Sequence, residues 1–496
     1  MELTFFFSAG WESWDVEARP AIPEGMPVLV DDDLRFDGEG GPRPSVVVNR
    51  WLRELPSSGA PSPGTWAVYA RVLRDWMVFC AGHGTGVFAG REDLKAVLGA
   101  YAVHRADGPE QARFAATTWN RHVSVLSCFY QWAVAEGHAS AVPFSYAQAQ
   151  VRYGDVTRDA QVNLARRRVP KRHVTIRYLE ADFAGLFIAA LGGLGPDGMP
   201  DSGYRGRELA RNSAVGKLVL ASGLRRQEFS YLLAYEVPPL PSSPGQLPVP
   251  FPVPAGVTKG RKYRTTWIDC ASLEAVHQYA GLDRAAAVGG SSWRPLREWG
   301  EPLIVSEADA AGGRVNGRRV RWDKLGPAQR RRLVVPEGGS CLLAVRSDGG
   351  PFTAWESVFT RASDRVRQRF EPRFPHVHPH RLRHTFALAT LERLVSGYYA
   401  QATGLVTATG SGDGPDAALA LYLTKADPMM VLRDLLGHSS VVTTEAYLRR
   451  LDMTRIYADA YERAGRDAGL ISGAAQREAD EEFADEDCPG TGGGRP

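Results

Sequence analysis

Cysteine, long apolar segments and lysine are all scarce in this sequence. Its five cysteines lie singly, with no Cys-x-x-Cys pair, which favours neither a zinc module nor a disulfide framework. No run approaches the roughly 18 apolar residues that a membrane-spanning helix needs. Acidic and Trp side chains soon follow Phe5 to Phe7, which is not the pattern of a signal peptide. We therefore expect a cytoplasmic protein with reduced thiols.

The few lysines are unevenly placed. Seven stand among the 59 Lys and Arg residues, and two of them, Lys259 and Lys262, lie in one short segment. In a sequence that otherwise uses arginine for positive charge, this pair suggests a role that arginine cannot fill. Proton donation is such a role, because the pKa of arginine is too high for it to release a proton, whereas that of lysine shifts readily.

The length of 496 residues predicts two or more domains. Apolar residues recur at helical spacing from Trp66 to Met77 and from Val123 to Val134, which predicts a helical domain. A strand near Thr265 to Asp269 would pair with a Pro-rich edge strand near Val249 to Val253. The fold class is mainly α with a small antiparallel sheet. We divide the chain into an extension (1–45), a helical domain (46–146), a polar, basic linker (147–173), a second, mixed α/β domain (174–464) and an acidic, Gly-rich, disordered tail (465–496).

Four short motifs follow one another in the second domain. They are Ala-Ser-Gly-Leu-Arg-Arg-Gln-Glu-Phe at 221–229, Thr-Lys-Gly-Arg-Lys-Tyr-Arg at 258–264, His-Pro-His-Arg-Leu-Arg-His at 378–384, and Leu-Leu-Gly-His-Ser-Ser-Val-Val-Thr-Thr-Glu-Ala-Tyr at 435–447. They concentrate guanidinium, imidazole and one phenol. These groups can hold the oxygens of a phosphodiester and attack its phosphorus without a metal.

In this order the motifs resemble the signature of the tyrosine recombinase (phage integrase) family. The two histidine blocks match without gaps, whereas Phe229 stands for a leucine and Thr258 for a glycine of the family pattern. The resemblance implies a helical, SAM-like core-binding domain followed by a mixed α/β catalytic domain, with insertions near 283–347 and 395–422. It also implies a site-specific DNA recombinase that cleaves and rejoins strands through a 3′-phosphotyrosine intermediate, for integration or excision of a mobile element.

The resemblance assigns a role to each motif residue, and it implies no cofactor and no metal. His380 is also a candidate acceptor for the phenol proton. The assigned roles are a phosphate clamp (Arg225, Arg383), donors to the phosphate oxygens (His380, His438), the nucleophile (Tyr447), the acid for the departing 5′ oxygen (Lys259) and a supporting carboxylate (Glu228).

Basic residues cluster although the net charge is only +3. A solvated charged surface is the plain interpretation, and contact with DNA phosphates is the alternative that a phosphodiester site favours. The expected partners are double-stranded DNA, further copies in a tetramer on paired sites, and an accessory directionality or DNA-bending protein, with no membrane and a nucleoid-associated location. The expected DNA contacts are Arg166, Arg167, Arg168, Lys171, Arg172, Lys262 and Arg264.

An apolar stripe from Met453 to Tyr461 has two interpretations. It packs on its own catalytic domain, or it passes to a neighbouring protomer, as the resemblance implies.

Two other functions use similar residues. A type IB topoisomerase relaxes one duplex with nearly the same groups, and a catalytically silent DNA-binding accessory protein would keep the fold but lose an arginine or the tyrosine. A metal site is a weaker interpretation, because no carboxylate or cysteine lies among the alternating histidines and the arginines between them would repel a cation. Those histidines are His376, His378, His380 and His384.

Overall fold

The structure is a computed structural model. It describes residues 1–7, 22–38, 41–60, 62–153, 156–169, 177–242, 248–296, 299–408 and 428–438, together with Thr444, Tyr447, Leu451 and Ile456. The chain divides into two compact units, Met1–His173 and Val174–Pro496. Each unit has its own hydrophobic core.

The first unit is a set of four helices with short strands at its two ends. Pro begins both α1 and α2, as expected where the first N–H of a helix has no partner within the helix. The helices bury an aromatic core that includes Trp76 and Trp119. Its elements are β1 (Glu2–Phe5), β2 (Pro27–Val30), β3 (Asp37–Gly38), β4 (Gly41–Pro42), α1 (Pro44–Glu54), α2 (Pro63–Gly82), α3 (Arg91–Asp107), α4 (Ala116–Ala135), β5 (Tyr146–Tyr153) and β6 (Val156–Asn163).

Two of the predicted boundaries need correction in this unit. The predicted extension contributes an antiparallel pair, β1 and β2, and buries Met26 and Leu29 in the helical core. The alternating burial along Pro27–Val30 has the period of a strand with one face inward. Most of the predicted linker is the antiparallel hairpin of β5 and β6. The many polar and charged residues of this segment suggested a linker, although Ala149 and Val151 alternate with Gln150 and Arg152 as they would on a strand.

The second unit is a helical core that carries small sheets. Phe187 in α5, Leu218 in α6 and Phe359 in α11 pack in one cluster. The elements are α5 (Ala181–Leu191), α6 (Leu209–Ser222), α7 (Arg226–Ser230), β7 (Val249–Val253), β8 (Arg264–Ile268), α8 (Cys270–Tyr279), α9 (Ala285–Gly289), β9 (Leu303–Ala308), β10 (Gly312–Val315), β11 (Arg318–Arg321), α10 (Pro327–Arg330), β12 (Leu333–Val334), α11 (Trp355–Arg369), α12 (Pro379–Ala408) and α13 (Pro428–Leu436).

The predicted Pro-rich hairpin is confirmed. β7 and β8 pair antiparallel, with Pro250 opposite Trp267 and Pro252 opposite Thr265. Both prolines are exposed while Phe251 and Val253 between and beside them are buried. Since proline has no N–H for a ladder bond, it is tolerated in a strand that pairs on one side. The predicted fold class, mainly α with small antiparallel sheets, is confirmed, and the one parallel pairing in the described residues joins β12 to β9.

The predicted insertion near 283–347 has a core of its own. Strands β9 to β12 form a four-stranded sheet. Val305 and Leu333 of this sheet cluster with Trp322, which follows β11, and with Leu233, which follows α7. Arg330 lies fully buried beneath this sheet. Its guanidinium donates to the Glu236 carboxylate at 2.6 and 2.7 Å, and it also donates to the backbone oxygens of Leu325, Tyr231 and Trp322.

Within the described residues, no helix is both long enough and apolar enough to cross a membrane.

We predict that Arg330→Ala lowers the free energy of unfolding by about 3–5 kcal/mol, because it leaves the buried Glu236 carboxylate without its cation. Urea titration followed by tryptophan fluorescence measures this loss. Arg346→Ala is the matched control, since Arg346 pairs with Asp348 at an exposed position, where such a pair contributes at most about 1 kcal/mol. Equal losses for the two variants would contradict a structural role for the buried pair.

Candidate functional site

The site is built around one buried carboxylate, Glu228, in the first turn of α7. The side chain is 1% exposed. Its oxygens accept hydrogen bonds from both terminal nitrogens of Arg264, at 2.6 and 2.7 Å, and from the backbone N–H of Arg225 at 2.7 Å. Burial alone would raise the pKa of Glu228, but the hydrogen bonds and charge of Arg264 outweigh it and hold the pKa below its ordinary value. Glu228 is therefore ionised and joins α7 to β8.

Arg383, on α12, lies at the end of α6. It is 2% exposed and donates to the backbone oxygen of Gly223 at 2.5 Å and to that of Leu436. Burial, followed by the charge of Arg225, lowers the pKa of Arg383 to about 9, so the group stays cationic at neutral pH. Gly223 has a φ of +62°, and a Cβ there would lie 2.2 Å from the ring of Phe386. Glycine is therefore required where the chain turns to present its carbonyl to Arg383.

Arg225 and Arg264 reach the end of α13. Arg225 donates to the backbone oxygen of Gly437 at 3.2 Å, and Nε of Arg264 donates to that of Leu435 at 3.0 Å. Gly437 has a φ of +61°, and a Cβ there would lie 2.8 Å from the Arg264 side chain. The side chain of Arg225 is 30% exposed and that of Arg264 is 8% exposed. Arg225 is thus the more accessible cation.

The hydroxyl of Tyr447 lies 2.7 Å from Nδ1 of His384. Tyr447 is 3% exposed and packs among apolar residues of α12 and α13. Burial raises the pKa of Tyr447 to about 12, although the charges of Arg383 and Arg225 act in the opposite direction. Burial, together with the charges of neighbouring histidines and Arg383, lowers the pKa of His384 to about 4. The imidazole is therefore neutral at pH 7, and Nδ1 accepts from the phenol when the ring proton is on Nε2.

His380 and His438 flank this pair. His380 is exposed, and its ring centroid is 4.3 Å from that of His384. Partial desolvation, followed by the charge of Arg383, lowers the pKa of His380. His438 lies 3.0 Å from the hydroxyl of Thr444, and burial and the nearby arginines lower its pKa to about 4.

Lys259 lies in the exposed turn between β7 and β8, and Lys262 is exposed in the same turn. The hydroxyl of Thr258 donates to the backbone oxygen of Lys262 at 2.8 Å and closes the turn. The side chain of Gln227, on α7, donates to the backbone oxygen of Val257 at 3.0 Å. The turn is thus fixed to α7, but no hydrogen bond or ion pair of either lysine ammonium is found among the described residues.

Two of the predicted DNA contacts also make internal contacts in the fold. The guanidinium of Arg264 donates to the Glu228 carboxylate and to the backbone oxygen of Leu435. Arg167 donates to the backbone oxygens of Arg105 and Ala102 and lies 4.5 Å above the ring of Trp119. Both side chains therefore also stabilise the fold, and their role as DNA contacts stays a prediction. Arg166 and Arg168 are exposed. Lys171 and Arg172 lie outside the described residues.

His384 is the functional residue that the sequence interpretation missed. His380 was the candidate acceptor for the phenol proton, but His384 is the residue that contacts the Tyr447 hydroxyl. The signal was present, because residues four apart on a helix share a face and both histidines belong to α12. Sequence alone does not show which of the two points toward the tyrosine.

The C-terminal segment lies mostly outside the described residues, including the acidic tail and most of the apolar stripe. Ile456 belongs to that stripe, and it is 2% exposed in the cluster that surrounds Tyr447. For this residue, packing on its own domain is the arrangement observed. In the described part of the chain, no group of three or more His, Cys, Asp or Glu side chains is placed to hold a metal ion.

Comparisons with known proteins add a sequence match in the first unit. Residues 48–137 match the family model described as phage integrase, N-terminal SAM-like domain. No curated protein sequence matches the chain.

Among solved structures, the chain is similar to a XerH site-specific recombinase bound to difH substrate (14% identity, 74% of this chain and 69% of that chain, TM-score 0.37). It is also similar to a XerA recombinase (16% identity, 83% and 95%, TM-score 0.31). A third is the Tn1549 transposon integrase in complex with a circular intermediate DNA (12% identity, 81% and 94%, TM-score 0.43).

The SAM-like match lies in the same chain as the arginine, histidine and tyrosine motifs, and the fold brings those motifs together at one site. The first unit therefore contains a segment that is similar to the N-terminal SAM-like domain of phage integrases.

Proposed function

We propose that this protein is a site-specific DNA recombinase that cleaves and rejoins strands through a 3′-phosphotyrosine intermediate. The observation that carries the proposal is the meeting of Arg225, Arg383 and His438 around Tyr447, whose hydroxyl contacts His384. A phosphoryl group attacked in line gains charge on its non-bridging oxygens, and fixed cations must hold that charge.

The two arginines form the phosphate clamp in this proposal. A guanidinium has five N–H donors. Each of the two terminal nitrogens of Arg383 donates one hydrogen bond to a backbone oxygen, so further N–H donors remain. Arg225 is held by Glu228 and Gly437 and is partly exposed. The hydrogen bonds to backbone oxygens fix both guanidinium groups before substrate binds. This reduces the reorganisation needed in the transition state.

The covalent step transfers one proton at each end of the phosphodiester. The oxygen of Tyr447 attacks phosphorus as its proton passes to Nδ1 of neutral His384. The bond from phosphorus to the 5′ oxygen breaks, and Lys259 gives that oxygen a proton. The phosphotyrosine keeps the free energy of the broken bond, so a 5′ hydroxyl can reverse the step without ATP.

Double-stranded DNA is the proposed partner. The XerH structure contains difH substrate, and the Tn1549 integrase structure contains a circular intermediate DNA; we transfer DNA binding to this chain as part of the proposal. Arg166, Arg168 and Lys262 are exposed and suited to phosphate contacts. Assembly as a tetramer on paired sites and a role in a mobile element complete the proposal.

The test is incubation of the full chain with nicked duplexes that carry the DNA flanking its gene, followed by a denaturing gel, and in parallel with a closed, supercoiled plasmid that carries the same DNA. A covalent protein–DNA adduct together with joint molecules supports a recombinase. An adduct with relaxation alone would indicate a topoisomerase, and the absence of any adduct would indicate a silent accessory protein.

We predict that Tyr447→Phe removes the adduct completely while DNA binding in a gel-shift assay changes less than about twofold, because one oxygen is lost from a positioned ring. Tyr263→Phe is the control, since Tyr263 is an exposed tyrosine of the lysine turn and should leave the adduct unchanged. An adduct formed by Tyr447→Phe would place the nucleophile at another residue.

We predict that His384→Gln slows cleavage by about 10²–10⁴-fold, the usual contribution of a general base, and flattens the acid limb of the pH–rate profile. Neutral His384 is the accepting form, so activity of the free protein should be present above a pKa near 4 and lost as the pH falls through it. His376→Gln, at an exposed histidine outside this contact, is the control. Normal cleavage by His384→Gln, with loss of the acid limb in His380→Gln instead, would restore His380 as the base.

We predict that Lys259→Ala cleaves poorly but recovers at least about tenfold on a substrate whose bridging 5′ oxygen is replaced by sulfur, since that leaving group needs no proton. Lys262→Ala is matched in charge, exposure and turn. Recovery by Lys262→Ala and not by Lys259→Ala would reverse the assignment.

A further inference from the structure

A basic cavity lies at the end of α6 remote from Arg225. Its volume is about 500 Å³, which falls within the range of small-molecule sites. Five arginines and one glutamate line it: Arg205, Arg207, Arg211, Arg361, Arg365 and Glu208. Since α6 has 14 residues at about 1.5 Å per residue, roughly 20 Å separates this cavity from the site around Tyr447.

Two of these arginines are fixed in the wall of the cavity. Arg211 lies 3.7 Å above the ring of Phe352, and Arg365 lies 4.4 Å above that of Tyr204. Arg211 donates to Asn212 and to a backbone oxygen, and its nearest carboxylate oxygen, on Glu208, is 3.9 Å away. Arg365 lies 3.7 Å from a carboxylate oxygen of Asp201. Burial still lowers the pKa of both arginines, so these carboxylates do not fully compensate their charge.

The other three arginines are exposed and form no ion pair within the described residues. Arg205 and Arg361 each donate one hydrogen bond to a nearby backbone oxygen, and Arg207 is exposed beside them. Exposed arginines elsewhere in this unit commonly pair with a carboxylate, as Arg226, Arg314, Arg319, Arg321, Arg346 and Arg373 do. These three exposed arginines thus bring to the cavity guanidinium donors that have no carboxylate partner among the described residues.

The backbone adds to this positive field. The N-terminus of α6 begins at the cavity and has no side-chain cap, and such an end attracts anions. Glu208, the residue before the helix, has a φ of +60°, a left-handed conformation that is unfavourable for a residue with a side chain. Strain of this kind is held in place by its surroundings and is common at ligand sites.

We propose that this cavity binds a small ligand that carries two or more linked phosphates, such as inorganic pyrophosphate or a nucleoside triphosphate. Guanidinium forks bind phosphate oxygens bidentately, and several unpaired forks around a concave volume suit a chain of phosphates better than a single charge. The site is separate from the proposed strand-cleavage site.

Isothermal titration calorimetry of the full chain with inorganic pyrophosphate and with ATP tests the proposal. We expect saturable binding that Arg207→Ala combined with Arg361→Ala weakens at least tenfold. Both residues are exposed, so the fold should be retained, and an unchanged circular dichroism melt verifies this. The matched control is Arg314→Ala combined with Arg319→Ala, which removes two exposed arginines that have carboxylate partners and should change binding less than twofold.

Three results would overturn the proposal: no saturable binding of either probe, equal weakening by the two double variants, or displacement of pyrophosphate by a short DNA duplex. The last would mean that the cavity is a DNA-backbone contact. Adduct formation is measured on the same variants, and because the cavity is remote from Tyr447 we expect it to be retained. If the wild-type chain forms no adduct, the proposed function is contradicted, whereas the proposal for this cavity is not affected.

Discussion

The arrangement of the site depends on how three neighbouring positive charges are held together. Arg225 and Arg264 lie close enough to Arg383 that their charges disfavour its charge, and Arg264 and Arg383 are largely buried. One carboxylate, Glu228, offsets part of this repulsion. Backbone carbonyls at the C-terminal ends of α6 and α13 offset a further part of the repulsion, because the C-terminal end of a helix carries partial negative charge. The proposed clamp is thus held by helix ends as well as by side chains.

This constraint explains why short motifs suffice to mark the site. The Gly-Leu-Arg sequence supplies both the carbonyl that fixes Arg383 and, two residues later, Arg225 itself. The Leu-Gly-His sequence ends α13 with the carbonyls that bind the arginines and then places His438 beside them. In both motifs the glycine has a positive φ and no room for a Cβ. The turn that each glycine forms therefore also positions the backbone oxygen that accepts from an arginine.

Much of the fold could be predicted because it follows from periodicity. The helical spacing around Trp76 and Leu126 lies within α2 and α4, and the prolines of β7 correctly indicated a strand paired on one side. The hairpin of β5 and β6 was missed although Ala149 and Val151 alternate with Gln150 and Arg152, because small apolar residues among many polar ones give only a weak strand signal. Side-chain roles were harder still. Arg264 and Arg167 look like DNA contacts in a list of basic residues, and only the three-dimensional structure shows that Glu228 and Trp119 bind them.

The insertion of β9 to β12 is joined to the residues that follow α7. Leu233 packs in its core, the backbone of Leu343 donates to that of Leu232, and Arg330 lies between Tyr231 and Glu236. Only the five residues of α7 separate this attachment from Arg225. In mechanical terms, the insertion packs directly behind the proposed clamp. A displacement of its sheet would therefore move Arg225 through the single short helix α7.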